Sequence, residues 1–254
     1  MPKPAAEAVH EVRLVSFIIP AWNEEALLGH TLQALADAAS VLTVPYEVVV
    51  ADDASTDGTA RIAREHGARV VSVSHRQISA TRNTGARAAQ GDLLIFIDAD
   101  TLVTPDVVRA AVRAVTEGAI GGGCTVEFDG RIPVYARIAL PMFTRLYRAA
   151  KLAAGCFLFA TREAFEAVSG FSEKVYASEE CWLSWALRKR GRFVILREHV
   201  VTSSRKLRTY SGWEILRALF WLTIQGLTAR ESKGMDIWYG PRRTDPHGEP
   251  RTSD

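Results

Sequence analysis

The 254-residue sequence predicts an α/β fold, a mostly parallel sheet flanked by helices and followed by a less regular second half. Apolar runs such as "LVSFIIP", "YEVVVA" and "DLLIFIDAD" alternate with amphipathic stretches through the first half. Near-continuous apolar strands separated by helices indicate parallel strands covered on both faces. Two of the runs lead straight into paired acids, "VVVADD" and "LLIFIDAD". Ionised carboxylates are costly to bury, and open α/β sheets bind ligands at the carboxyl ends of their strands.

Each element follows from its own stretch. "LVSFIIP" reads as a strand, "NEEALLGHTLQALADAA" as a helix and "YEVVVA" as a second strand. "DGTARIAREHG" is a short helix, "ARVVSV" a strand, and "ISATRNTGARAAQG" a helix that stops at Gly91. "DLLIFIDAD" is the fourth strand, and Pro105 opens the helix "TPDVVRAAVRAVTEG", a position where its missing N–H costs nothing. In the second half "AIGGGCTVEF" reads as a strand and 133–150 as a mixed apolar and basic helix. "AAGCFLFAT" is a short buried strand, "REAFEAVSGF" and "SEECWLSWALRKRG" are helices, and "RFVILREHVV" is a late strand. Residues 213–227, "WEILRALFWLTIQGL", form a helix apolar around most of its circumference, so it is buried or lies against a partner or a membrane interface. The tail from Gly240 is expected to be disordered. No fixed period repeats, which excludes a solenoid.

Composition narrows the function classes. With 48% hydrophobic and 24% charged residues the chain is ordinary for a globular protein, and a net charge of +2 gives no bias towards nucleic acid. Between Arg188 and Arg208, however, eight Lys/Arg accompany a single acid, Glu198; such a run suits a solvated surface, phosphates or anionic lipid. Three widely spaced cysteines show no CxxC or Cys/His pattern, which disfavours structural zinc and a disulfide framework. The N-terminus lacks an apolar core, and no stretch of about 18 uncharged apolar residues occurs. A cytoplasmic protein is expected, with peripheral contact at the inner membrane face as the variant.

The carboxylates carry the chemistry. In "ADDASTDGT", Asp57 suits a helix cap and Asp53 a turn-closing acceptor. An EF-hand beginning at Asp53 fails, because position twelve is Arg64 rather than a bidentate Glu. In "IFIDAD", alternation would send Asp98 and Asp100 to one face, where two oxygens suit Mg2+ or Mn2+; alone, Asp100 could as well cap the next turn.

Taken in order, "FIIPAWNEE", "VVVADDASTDGT", "ATRNTGARAAQGD", "IFIDAD" and "SEECWLSWALRKRG" resemble the GT-A fold glycosyltransferases of family 2 over residues 14–205. The resemblance implies a GT-A type, Rossmann-like sheet with an irregular acceptor-side half. Residues 1–12 would be an extension, 13–118 the nucleotide-binding half and 119–210 the acceptor half of one domain, with an apolar helix region at 211–239 and a tail at 240–254. It implies an inverting, metal-dependent transfer of a sugar from a nucleotide diphosphate to an acceptor hydroxyl, the acceptor being a glycan or lipid-linked. Pro20, Ala21 and Glu24 would line the nucleotide pocket. Asp53 would accept from the base, with a UDP-sugar favoured over a GDP-sugar and the base supplying the donor that a buried acceptor needs. Asp52 would support it. Arg82 would lie near base and phosphates, its alternative being a helix-surface Arg. Asp98 would approach the ribose or metal, and Asp100 would hold the metal.

Relatives usually show Glu-Asp at the start of a helix with the Asp as base; this chain has Glu179-Glu180, so Glu180 takes the base position ahead of Glu179. His199 matches a third metal ligand of some relatives and is otherwise a surface residue, while Arg205 and Lys206 are candidates for phosphate contact. Arg205, Lys206 and Arg208 beside the 213–227 helix would meet anionic headgroups, the alternative being a core or homodimer interface. Two other classes remain: a catalytically inactive sugar-nucleotide-binding scaffold or regulatory protein, supported only by Glu180, and a nucleotidyltransferase, disfavoured by the acidic "PAWNEEALLG" where a Gly-rich basic loop is wanted.

Overall fold

Four strands, β1 (Val15–Ala21), β2 (Tyr46–Asp53), β3 (Arg69–Val73) and β4 (Leu93–Ile97), pair in parallel in the spatial order β3-β2-β1-β4. They belong to a computed structural model that describes residues 11–130, 132–133, 137, 142, 144–145, 148–215, 217 and 236–240. β5 (Thr101–Leu102), β6 (Ala119–Phe128), β7 (Phe157–Thr161) and β8 (Arg192–Thr202) continue the same sheet, in the full order β3-β2-β1-β4-β7-β6-β8-β5. β7 lies antiparallel between β4 and β6, and β6 runs parallel to β8. The fold is therefore the expected GT-A type, a mixed but mostly parallel sheet. Residues 13–118 and 119–210 share one sheet through the β4–β7 ladder.

Helices cover both faces, as the apolar strands require. Val15, Phe17 and Ile19 of β1 pack with Leu28, Leu32 and Leu35 of α1 (Leu28–Ala39) and with Val107, Val108 and Ala111 of α4 (Pro105–Thr116). Ala63 of α2 (Thr59–Glu65) joins that layer. The opposite face, with Ile18, Leu94, Phe96 and Leu158, is covered by α3 (Ile78–Ala88), α5 (Arg162–Ala167) and α6 (Glu179–Arg188), which contribute Ala86, Phe165, Leu183 and Leu187. At Gly122 a Cβ would stand 2.3 Å from the Val194 carbonyl oxygen and 2.6 Å from the Phe159 ring, so this glycine lets strand and aromatic close up. Two further short helices lie among the described residues, α7 (Arg205–Thr209) and α8 (Asp236–Tyr239).

The elements differ from the sequence reading in places that matter for the site. α1 begins at Leu28 rather than Asn23, because Leu27 and Leu28 donate to the Glu24 carbonyl in a turn; residues 22–27 become a loop over the sheet end. β5 was not expected. It is two residues long and pairs Thr101 with Thr202, tying the loop after β4 to β8. Among the described residues no helix is long and apolar enough to cross a membrane. Most of the expected 133–150 helix, most of the 213–227 helix and the tail after Gly240 lie outside the described residues.

Candidate active site

The loops after β1 and β2 are laced together by side chains that the turn residues supply. Asn23 adopts φ +51°, its amide donates to Ser55 Oγ at 2.9 Å, and its Oδ1 accepts from the Thr56 amide at 2.8 Å. Glu24 N–H donates to Thr59 Oγ1 at 2.8 Å. Asp57 accepts from the Thr59 and Glu25 amides at 3.0 and 3.2 Å, a local turn role; the N-cap of α2 is Gly58 rather than the expected Asp57. Asp52 is buried, with one long contact from the Ser55 amide at 3.4 Å.

Asp53 is buried at the end of β2, but it does not wait for an external donor. Its Oδ1 accepts from the amides of His75 at 2.6 Å and Arg76 at 3.0 Å, and its Oδ2 accepts from Thr81 Oγ1 at 3.0 Å. The protein itself offsets the desolvation of this carboxylate, which corrects the expectation that a bound base must do so. Beside it the Arg76 guanidinium stacks 3.6 Å over the Trp22 ring.

The second acid pair sits just past β4, which ends at Ile97. Asp98 and Asp100 are thus brought together by a turn rather than by strand alternation. Thr101 N–H closes that turn on the Asp98 carbonyl at 3.1 Å, Thr31 Oγ1 of α1 donates to the Ala99 carbonyl at 2.9 Å, and the Ser203 amide donates to the Asp100 carbonyl at 3.1 Å. Arg82, on α3 and only 3% exposed, reaches across to this loop. Its Nη2 donates to Asp98 Oδ1 at 2.7 Å and to the Gly155 carbonyl at 2.9 Å, and its Nη1 donates to Glu179 Oε1 at 2.9 Å. Burial works against the Arg82 charge, but Asp98 and Glu179 outweigh it and hold the group protonated. The alternative of a helix-surface arginine is thereby excluded.

Glu179 and Glu180 occupy the first turn of α6, preceded by Ser178 at φ +63°. Burial raises the Glu179 carboxyl, with Arg82 opposing. Burial and then the Glu179 charge push Glu180 up to about 8. The two glutamates differ in partnership: both line the cleft, but Glu179 is locked in an ion pair with Arg82, whereas no cation pairs with Glu180 among the described residues.

A cleft of about 410 Å³ gathers these groups. Of the residues expected at the site, Pro20, Ala21, Glu24, Asp53, Arg82, Asp98, Asp100, Glu179 and Glu180 all line it, together with Lys206. Arg205 does not. It is buried in an ion pair with Glu24 at 2.8 Å, so it shapes the cleft through that acid. His199 does not reach the site either: it is on β8 opposite Thr125, half-exposed and 3.7 Å from Glu127. Trp22, Arg76, Thr81, Tyr176 and Tyr239 also line the cleft and were missed. Thr81 and Trp22 abut motif residues in sequence, whereas Tyr239 arrives from α8 and donates to the Tyr176 carbonyl at 2.8 Å, which no local pattern signals.

A divalent cation fits the Asp98–Asp100 turn on donor chemistry. Asp100 accepts one long hydrogen bond, from Thr202 Oγ1 at 3.4 Å. Burial, with the charges of Glu24 and Asp98, pushes its carboxyl up to about 6 despite Lys206. A cation would relieve that acid surplus. Among the described residues no group of three or more His, Cys, Asp and Glu could hold a metal, so water or substrate oxygens would complete the shell, as is usual for Mg2+ and Mn2+.

Known proteins resemble this chain in both sequence and fold. A profile described as "Glycosyl transferase family 2" matches residues 16–166. Validoxylamine A glucosyltransferase of Streptomyces hygroscopicus subsp. limoneus is 37% identical over 142 residues, 51% of this chain and 30% of that protein. Undecaprenyl-phosphate 4-deoxy-4-formamido-L-arabinose transferase of Aeromonas hydrophila is 34% identical over 119 residues, 42% of this chain and 35% of the relative. The chain thus spans about a third of the length of these relatives. In structure, a mannosyltransferase from Pyrobaculum calidifontis, solved with GDP-Man and Mn2+, superposes with a TM-score of 0.64 at 22% identity, covering 86% of this chain and 64% of that one.

Proposed function

As the chain belongs to glycosyl transferase family 2, we propose that it is an inverting, metal-dependent enzyme that transfers a sugar from a nucleotide diphosphate to an acceptor hydroxyl. One observation carries the reading: a single cleft joins the strand-end acids Asp53, Asp98 and Asp100 to Arg82 and the first turn of α6.

The first half would bind the nucleotide and the second would seat the acceptor, since both halves line the cleft, with residues from Pro20 to Asp100 and from Gly155 to Lys206. Trp22 and Arg76 would flank the base. Three protein donors already occupy Asp53, which leaves room for about one of a carboxylate's roughly four acceptor positions. That favours uracil, with its single N3–H, over guanine, with its paired N1–H and N2–H donors. Asp98 and Asp100 would hold Mg2+ or Mn2+, which when bound neutralises charge on the diphosphate leaving group. Lys206 would approach the same phosphates.

Glu180 would accept the acceptor's hydroxyl proton as that oxygen bonds to the anomeric carbon. The bond from that carbon to the diphosphate oxygen breaks on the opposite side, which inverts the configuration. Glu179, neutralised by Arg82, would hold α6 in place rather than take the proton. The acceptor is a sugar-bearing or lipid-linked alcohol. A thermal-shift screen of UDP- and GDP-sugars, with and without Mn2+, tests the donor half, because a native-state ligand raises the melting temperature. Stabilisation by a UDP-sugar that requires Mn2+ is expected; no response to any nucleotide sugar rejects the reading.

A further inference from the structure

The outer face of α6 carries a feature that the cleft does not use. Cys181, Leu183, Ser184 and Leu187 of this helix are buried. Trp182, Trp185 and Lys189 recur three and four residues apart on the other side, the spacing that aligns side chains along one helix face. Trp185 is 49% exposed. Its ring meets Trp182 edge-on at 6.0 Å, and Lys189 Nζ lies 3.3 Å over its centroid.

The exposed charges that follow on this helix are basic. Arg188, Lys189 and Arg190 are exposed. Arg188 donates to the Ala150 carbonyl, and the Ala153 amide donates to Ser184 Oγ at 3.1 Å, so the segment bearing exposed Arg148 and Lys151 runs beside α6. Among the described residues none of these five cations pairs with a carboxylate. The three cations first expected to meet headgroups are unsuited to it: Arg205 is buried against Glu24, Arg208 is partly buried and paired with Asp129, and Lys206 faces the cleft.

We infer that this face of α6 docks on an anionic lipid surface, with Trp185 in the headgroup region and Arg148, Lys151, Arg188, Lys189 and Arg190 against the anionic headgroups. Tryptophan favours such interfaces because its ring is apolar and its indole N–H is polar, and uncompensated Lys/Arg are drawn to a negative leaflet. The consequence for the acceptor rests on the transfer reading above: the docked helix begins with Glu179 and Glu180, so docking brings the proposed base towards an alcohol carried by a membrane lipid.

The test is co-sedimentation of the full chain with phosphatidylcholine vesicles, with and without phosphatidylglycerol, at low and high salt. Binding should require phosphatidylglycerol and weaken about tenfold or more at high salt, because screening shortens the reach of exposed charges. Trp185→Ser and the triple change Lys151→Glu/Lys189→Glu/Arg190→Glu should each reduce binding severalfold, with circular dichroism and donor affinity unchanged. Equal binding to neutral vesicles, wild-type binding by both variants, or loss of a concentration-dependent dimer in Trp185→Ser would overturn the inference. Salt-sensitive vesicle binding by a wild type that binds no nucleotide sugar would leave the docking face standing and reject the transfer reading.

Discussion

Arg82 and Glu179 stand 97 residues apart in sequence, and their side chains meet at 2.9 Å in the interior. The same guanidinium holds Asp98 at 2.7 Å. One buried cation thus fixes the acid turn after β4 relative to the helix that carries Glu180.

Removing that cation should be costly. Arg82→Met leaves Glu179 buried without its cation, and breaking a buried ion pair typically destabilises a protein by about 3–5 kcal/mol. Replacing Glu179 by Gln in the same chain should recover more than half of the loss in urea denaturation. Additive losses would show that the two residues are not coupled.

The acid pairs should separate by metal response. Asp100→Asn is expected to abolish the dependence of donor binding on Mn2+, whereas Asp53→Ala should weaken donor binding about tenfold, the worth of roughly one hydrogen bond to a charged group, while the Mn2+ response is retained. Titration calorimetry distinguishes these outcomes. Unchanged affinity in both variants would remove these residues from the donor site.

Glu180→Gln should keep donor affinity and lower kcat by about 10² to 10⁴, the usual worth of a positioned base. Glu180→Asp should retain part of the activity, since the carboxylate survives on a shorter stem. If Glu179→Gln alone stopped turnover, the two roles would have to be exchanged.

The pH profile follows from the Glu180 carboxyl, pushed up to about 8 by burial and by Glu179. A base must be deprotonated, so kcat/KM should climb about tenfold per pH unit below that value and level off above it. The sign for stability is opposite. A carboxyl with a raised folded pKa stabilises the fold below the ordinary glutamate range, and that contribution is lost as pH rises through about 8. Melting curves of Glu180→Gln should therefore gain on the wild type between pH 6 and 9. A constant difference would mean that Glu180 titrates in its ordinary range.

Periodicity and composition alone determined the alternating first half, the acids that end β2 and follow β4, and the Pro105 start of α4. These are local: apolar alternation sets an element's type, and the residues beyond its end must suit what the end can bind. The fold was legible for that reason, and so were most of the cleft's acids once their order along the chain was read together. What tertiary structure decided was partnership. Nothing in the sequence says that Glu24 pairs with Arg205, 181 residues away, that backbone amides at His75 and Arg76 satisfy Asp53, or that Tyr239 closes the cleft from α8. Nor does it show that His199 points away from the cleft. Each of these depends on which surfaces the sheet order brings together. Burial then strengthens the resulting charge contacts, so chain-distant packing sets whether a carboxylate is locked like Glu179 or left basic like Glu180.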